Sequence, residues 1–130
     1  MAPSERKLEK VLIVDDEPDI RRVGQMSLEL VGQLEVVLAS GGEEALAVAA
    51  QERPDVILLD VMMPRLDGPA TLALLRRAPE TADIPVIFMT AKAQKAEVDG
   101  YLALGAKGVI FKPFDPMTLS QEIGRLAFSG

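Results

Sequence analysis

The sequence has neither cysteine nor histidine among its 130 residues. Without cysteine, disulfides and thiol chemistry are excluded, which fits a reducing compartment. Without histidine there can be no Ser-His-Asp triad and no His-ligated zinc. Basic residues are outnumbered: 14 Lys and Arg stand against 20 Asp and Glu, a net charge of −6. Phosphate backbones want a basic face, so direct nucleic-acid binding is not expected. No apolar run reaches membrane-spanning length. The opening Met1 to Lys7 also lacks the apolar stretch of a signal peptide. A soluble cytoplasmic protein is the resulting expectation. The length suits one domain, with about two-thirds of the unfolded surface buried in one core.

What is present is one repeated figure: a short apolar run that stops on a polar residue. Val11-Leu12-Ile13-Val14 stops on Asp15 and Asp16. Val56-Ile57-Leu58-Leu59 stops on Asp60, Val86-Ile87-Phe88-Met89 on Thr90, and Val109-Ile110-Phe111 on Lys112. Such runs read as strands buried on both faces, the habit of parallel sheets. A further strand, Leu34 to Ala39, carries Glu35 and ends on Ser40, so it belongs at an edge.

Helical stretches alternate with these strands. Pro18 opens the first, with Ile20, Val23, Ser27, Leu30 and Val31 as its core stripe and Gly32 as its stop. The others run from Glu43 to Glu52, from Pro69 through Leu75, from Gln94 to Leu104, and through Leu119, Ile123, Leu126 and Ala127. The phenylalanines are assigned to the core. Arg76-Arg77 is assigned to the surface, and Lys92, Lys95, Glu97 and Asp99 to a solvated helix face.

The pattern βαβαβαβαβα, with right-handed crossovers, puts helices on both faces of the sheet. A common order for five such strands is 2-1-3-4-5, with a crevice between strands one and three. Asp15, Asp16, Asp60, Thr90 and Lys112 then gather on the sheet's carboxyl edge. At about 5 Å and an effective dielectric near 20, each pair of carboxylates there repels by roughly 3 kcal/mol. A divalent cation relieves that repulsion, and an oxygen-only donor set points to Mg²⁺, with Mn²⁺ able to substitute. Mg²⁺ commonly completes its shell with phosphate oxygens. Lys112 and Thr90 suit the equatorial oxygens of a phosphoryl group, and Asp60 is placed to be the nucleophile. Singly, each residue is more often a cap or a turn former. Four strand ends that share one chemistry are harder to explain that way.

The runs Val11 to Pro18 and Pro54 to Pro64, then Asp67-Gly68, Thr90-Ala91, Gly105-Ala106 and Lys112-Pro113-Phe114, together resemble the receiver domain of two-component response regulators. The likeness covers residues 8–128, after a flexible leader at 1–7. It implies a CheY-like, flavodoxin-like three-layer α/β/α sandwich with five helices. It implies that Asp60 accepts a phosphoryl group from a histidine kinase or a phosphotransfer protein. Asp16, Asp60 and the Met62 carbonyl would ligate Mg²⁺, with Asp15 acting through water. Thr90 would be the switch hydroxyl. Lys112 would be the bridging cation, aimed by a cis bond to Pro113. Output would pass through Thr90, Ala91, Lys92, Val109 and Pro113 to a partner on the face of helix four, strand five and helix five. The chain would act as a monomer or a phosphorylation-dependent dimer. It would be no enzyme beyond catalysing its own phosphorylation and dephosphorylation, and no output domain is expected within it.

Two departures bear on function. Val109 stands where the family often has Tyr or Phe, so an aromatic rotamer switch is missing at that site. Met62 and Lys92 occupy positions that tune access of the hydrolytic water. The rival readings are a metal-dependent phosphohydrolase and a metal-holding binding module. The first needs an acid two residues past the nucleophile, where Met62 stands.

Overall fold

The computed structural model describes residues 7–91 and 93–128. The expected leader, apart from Lys7, and the Lys92 assignment lie outside these residues. Five strands form one parallel sheet in the order β2-β1-β3-β4-β5. They are β1 (Lys10–Val14), β2 (Glu35–Ala39), β3 (Val56–Asp60), β4 (Val86–Thr90) and β5 (Gly108–Phe111). Every residue of β3 and β4 is buried, as central parallel strands require. Val14 pairs with Leu59, and Leu59 with Phe88. The edge position of β2 agrees with its broken apolar pattern.

Two layers of helices cover the sheet. On one face Leu12, Val14, Ile57, Leu59, Val86 and Phe88 pack against Ala45 and Ala49 of α2 (Gly42–Glu52) and Leu72 and Leu75 of α3 (Gly68–Arg77). Helix α4 (Lys95–Ala103) joins that face through a half-buried Tyr101. On the other face Val11, Ile13, Leu58, Ile87 and Met89 meet Leu28 and the α5 (Leu119–Ala127) residues Leu119, Ile123 and Ala127. Truncating a filled position such as Leu58 or Leu59 to Ala costs about 2–5 kcal/mol.

The first helix departs from its expected stripe. Helix α1 (Pro18–Met26) runs into a π-helical segment, Ser27–Val31. Its buried residues are Gly24, Ser27 and Leu28, with Ile20 half-buried. Val23, Leu30 and Val31 are exposed, Leu30 by 74%. The helix seats closely because Gly24 has no side chain: a Cβ there would lie 3.0 Å from Ile13 Cδ1. Such close approach favours small residues over large apolar ones at the contact. Two other assignments are corrected. Phe111 is half-exposed on β5. Arg76 is partly buried and donates from Nη1 to the Ile84 carbonyl at 2.9 Å.

Candidate functional site

The ends of β1, β3, β4 and β5 meet at one edge of the sheet. Asp60 is the last residue of β3 and Thr90 the last of β4. Backbone bonds hold the loops that follow. Val61 N–H donates to the Met89 carbonyl at 3.0 Å, and Lys112 N–H to the Thr90 carbonyl at 2.9 Å. Gly68, which starts α3, comes so near that an added Cβ would sit 2.6 Å from the Asp60 carbonyl oxygen. Only glycine permits that approach. On the acidic loop, Asp15 Oδ1 accepts the Glu17 N–H at 2.9 Å, and Arg21 Nη1 donates to the Asp15 carbonyl at 2.7 Å.

Asp15, Asp60 and Thr90 are buried, while Asp16 is exposed at the rim. The three aspartates offer carboxylate oxygens within 4.8 Å of one another. Lys112 enters from the β5 side. Its Nζ lies 2.8 Å from Asp15 Oδ2, 3.3 Å from Asp60 Oδ1 and 3.5 Å from Glu17 Oε1. The contact with Asp15 Oδ2 is short enough for a hydrogen bond. Its orientation nonetheless leaves that buried oxygen without an aligned donor among the described residues, so the contact is a close ion pair.

One ammonium does not balance three carboxylates; two negative charges remain after Lys112 is counted. Burial raises the Asp60 carboxyl to about 6, and the neighbouring Asp15 charge pushes the same way. Lys112 and a hydrogen bond from the Met62 backbone pull against them. Burial by itself would lower the Lys112 pKa, but Asp15 and then Asp60 outweigh it and hold the ammonium above its ordinary value. The donor set is all oxygen, the charge deficit is two, and Asp15 Oδ2 is buried without an aligned donor. These features fit a hard divalent cation.

A cavity of about 370 Å³ opens over Asp60, walled by Met62, Thr90, Ala91 and Lys112. Glu17, Gln94 and Glu97 complete the wall; none of them was given a site role from the sequence, and Glu97, assigned to a solvated helix face, is exposed as expected. Glu17 could have been suspected from its place beside the acidic pair. Gln94 and Glu97 carry no local signal, because α4 alone brings them there; the Glu97 carboxylate accepts the Gln94 N–H at 2.9 Å. Of the remaining expected positions Met62 lines the cavity, whereas Val109, which packs on the core, and Pro113 do not. Met62 is 76% exposed, Val109 is half-buried, and Pro113 is exposed after a cis Lys112-Pro113 bond.

A buried aspartate, an acidic pair, a hydroxyl and an ammonium meet around one open cavity. The family model of the response regulator receiver domain matches residues 11–124, and the chain belongs to that family. It is a receiver domain of the two-component signalling type. Among curated proteins it is 45% identical over 115 residues to the probable transcriptional regulator ycf27 of Guillardia theta, covering 88% of this chain and 44% of that one. It is 40% identical to the alkaline phosphatase synthesis transcriptional regulatory protein PhoP of Bacillus subtilis, over 88% of this chain and 46% of that one. The chain thus spans less than half the length of these relatives. Among solved structures, chemotaxis protein CheY4 of Vibrio cholerae superposes with a TM-score of 0.84 at 35% identity, covering 92% of this chain and 99% of that one.

Proposed function

We propose that this chain is a Mg²⁺-dependent phospho-accepting switch with Asp60 as the acceptor. One observation carries the reading. The Asp60 carboxylate sits at the floor of an open cavity, 3.3 Å from Lys112 and within 4.8 Å of two further aspartates. Asp16 and Asp60, with the Met62 carbonyl, would hold Mg²⁺ or Mn²⁺ directly, and Asp15 through water. Bound there, the ion neutralises phosphoryl charge and so lets a carboxylate approach an anionic donor.

The chain's own groups do the rest. An Asp60 carboxylate oxygen forms a bond to phosphorus while the bond to the donor's leaving group breaks and takes its electron pair away. Lys112 and the Thr90 hydroxyl face the phosphoryl oxygens and stabilise their charge. Water later cleaves the acyl phosphate and returns Asp60 as a carboxylate. These steps are self-catalysed on one carboxylate, so the domain is not an enzyme with an external substrate.

These 130 residues hold no histidine, so the phosphohistidine comes from a separate histidine kinase or phosphotransfer domain. The exposed apolar stripe Val23, Met26 and Leu30 on the first helix gives that donor a seat. Exposed Met117 lies beside it, because the Ser27 hydroxyl donates to the Pro116 carbonyl. The output partner docks on α4, β5 and α5, where Leu102 and Phe111 are exposed. The domain works as a monomer or as a phosphorylation-dependent dimer. Its net charge of −6 disfavours direct nucleic-acid contact. Among the described residues no helix is long and apolar enough to cross a membrane, and we place its action in the cytoplasm.

Incubation with acetyl phosphate and Mg²⁺, read by intact mass, tests the reading. A single phosphoryl adduct is expected, lost in Asp60→Ala. Steady phosphate release from a simple ester would favour a phosphohydrolase instead, and no adduct on the unmodified chain would leave only a metal-binding module.

A further inference from the structure

The first helix and its π-helical end are fastened to both charged loops of the site. Near the start, Arg21 Nη1 donates to the Asp15 carbonyl at 2.7 Å and so holds the acidic loop. Farther along, the Ser27 hydroxyl donates to the carbonyl of Pro116, in the loop 112–118 that carries Lys112. The same loop lays Phe114 against the helix, where a Cβ added at Gly24 would lie 3.8 Å from the Phe114 ring. Lys112 closes the frame at the cavity, its ammonium 2.8 Å from Asp15 and 3.5 Å from Glu17.

Ser27 is buried and heads the π-helical segment, whose wide turn is closed by the Gly32 N–H on the Ser27 carbonyl at 3.3 Å. Such turns are frequent at functional sites. A serine within a helix often returns its hydroxyl to a carbonyl one turn back. Here the hydroxyl crosses to another element instead. The loop it holds has little freedom to absorb a shift. Pro113 and Pro116 each fix a backbone dihedral. Beyond them Asp115 Oδ1 accepts the Met117 N–H at 2.9 Å, and the Asp115 carbonyl accepts the Leu119 N–H at 3.0 Å, which leads the loop into α5.

We propose that Ser27 is a positioning residue for the phosphoryl group: its hydroxyl holds the loop 112–118 against the first helix and so fixes where the Lys112 ammonium stands. This inference rests on the phospho-accepting reading above. A charge held in place stabilises developing phosphoryl charge without rearranging, which is what makes a fixed ammonium effective. Without the hydroxyl, exposed Pro116 turns its carbonyl to water and the loop swings away from the helix. The ammonium then loses its fixed place over Asp60. The acidic loop keeps its own hold through Arg21, so the carboxylates stay where they are. The polar gap in the apolar stripe of the first helix thereby acquires a role at the site.

The test compares Ser27→Thr with Ser27→Val, which share one shape and differ in the hydroxyl. Ser27→Ala repeats the loss without added bulk, and melting curves establish that each variant is folded. Each intact chain is titrated with beryllofluoride, a stable mimic of the phosphoryl group, in saturating Mg²⁺ and followed by fluorine NMR. The Mg²⁺ affinity of the unloaded chain is measured separately by calorimetry. Ser27→Val and Ser27→Ala are expected to bind the mimic about tenfold more weakly, the effect of a displaced group in a site that depends on placement. Ser27→Thr is expected to bind it like the parent chain, and Mg²⁺ affinity to change by less than about twofold in all three. A residue that merely supports the fold would weaken both ligands together or neither. Equal losses for Mg²⁺ and the mimic, a Val or Ala chain that binds the mimic like the parent, or a Thr chain as weak as Val overturns the positioning role while the phospho-accepting reading stands. A parent chain that takes up no beryllofluoride in Mg²⁺ overturns both.

Discussion

The two ends of the sheet carry the same residue types and use them differently. At the amino end, Asp55 Oδ2 accepts the N–H groups of Glu9 at 2.9 Å and Lys10 at 2.8 Å. Lys10 Nζ sits 3.1 Å from Glu52 and 3.4 Å from Glu35, at a surface open to water. There each carboxylate has a donor and each charge has solvent. At the carboxyl end, Asp15 and Asp60 are buried, share one ammonium, and leave Asp15 Oδ2 without an aligned donor among the described residues. Buried, under-compensated charge destabilises a fold. Its concentration at one end of the sheet gives a cluster that could hold a cation. An acidic cluster is therefore informative through its burial and partners rather than through its composition.

Substitutions at the two ends should diverge in a graded way. The largest difference is all-or-none. Asp60→Asn abolishes the phosphoryl adduct, whereas Asp55→Asn keeps it and only lowers the melting temperature. Lys112→Met comes next, because it strands two buried carboxylates. Chemical denaturation at pH 8 should show a loss of about 3 kcal/mol, which shrinks toward pH 5 as Asp60 takes up a proton. Asp16→Asn keeps the fold but weakens Mg²⁺ binding about tenfold or more, measured by calorimetry.

A smaller effect follows from the Asp60 carboxyl, raised from 3.8 to about 6 in the folded chain. The folded state holds this proton more tightly than the unfolded state does. The metal-free protein therefore keeps its full stability below about pH 4 with respect to this group, and loses stability as pH rises through about 6. The loss amounts to about 1–2 kcal/mol once solvent screening is allowed for. Melting curves in a chelator should show that slope, and Asp60→Asn should flatten it. Added Mg²⁺ should restore stability at pH 7 by binding the folded state. The smallest effect belongs to Lys10→Met, whose exposed partners remain hydrated; its melting curve should stay close to that of the parent chain. A steep dependence on Lys10 would break the contrast between the two ends.

The row of strand-end residues was legible in the sequence because four buried strands share one direction, so the residue after each apolar run shares one edge. The edge place of β2 followed from its broken apolar run, whereas the strand order came from what is common for five such strands, not from these residues. The first helix was misread for a definite reason. Apolar residues occur on both of its sides, and the packed side is chosen by closeness, which favours Gly24 over Val23 and Leu30, while Ser27 is buried as the stripe expected. The π-helical turn then rotates Leu28 inward and Leu30 outward. Adjacent residues also separate in ways no motif reveals: Asp15 is wholly buried and Asp16 exposed. Glu17, Gln94 and Glu97 reach the cavity only through the placement of a loop and of α4.

The most direct test asks which carboxylate carries the phosphoryl group. The chain is loaded with acetyl phosphate and Mg²⁺ and treated with borohydride, which reduces an acyl phosphate to homoserine, and the peptides are then sequenced by mass spectrometry. Homoserine at position 60 and at no other acidic residue is the predicted result. Homoserine at Asp15, at Asp16 or at Asp55, with Asp60 intact, would contradict it.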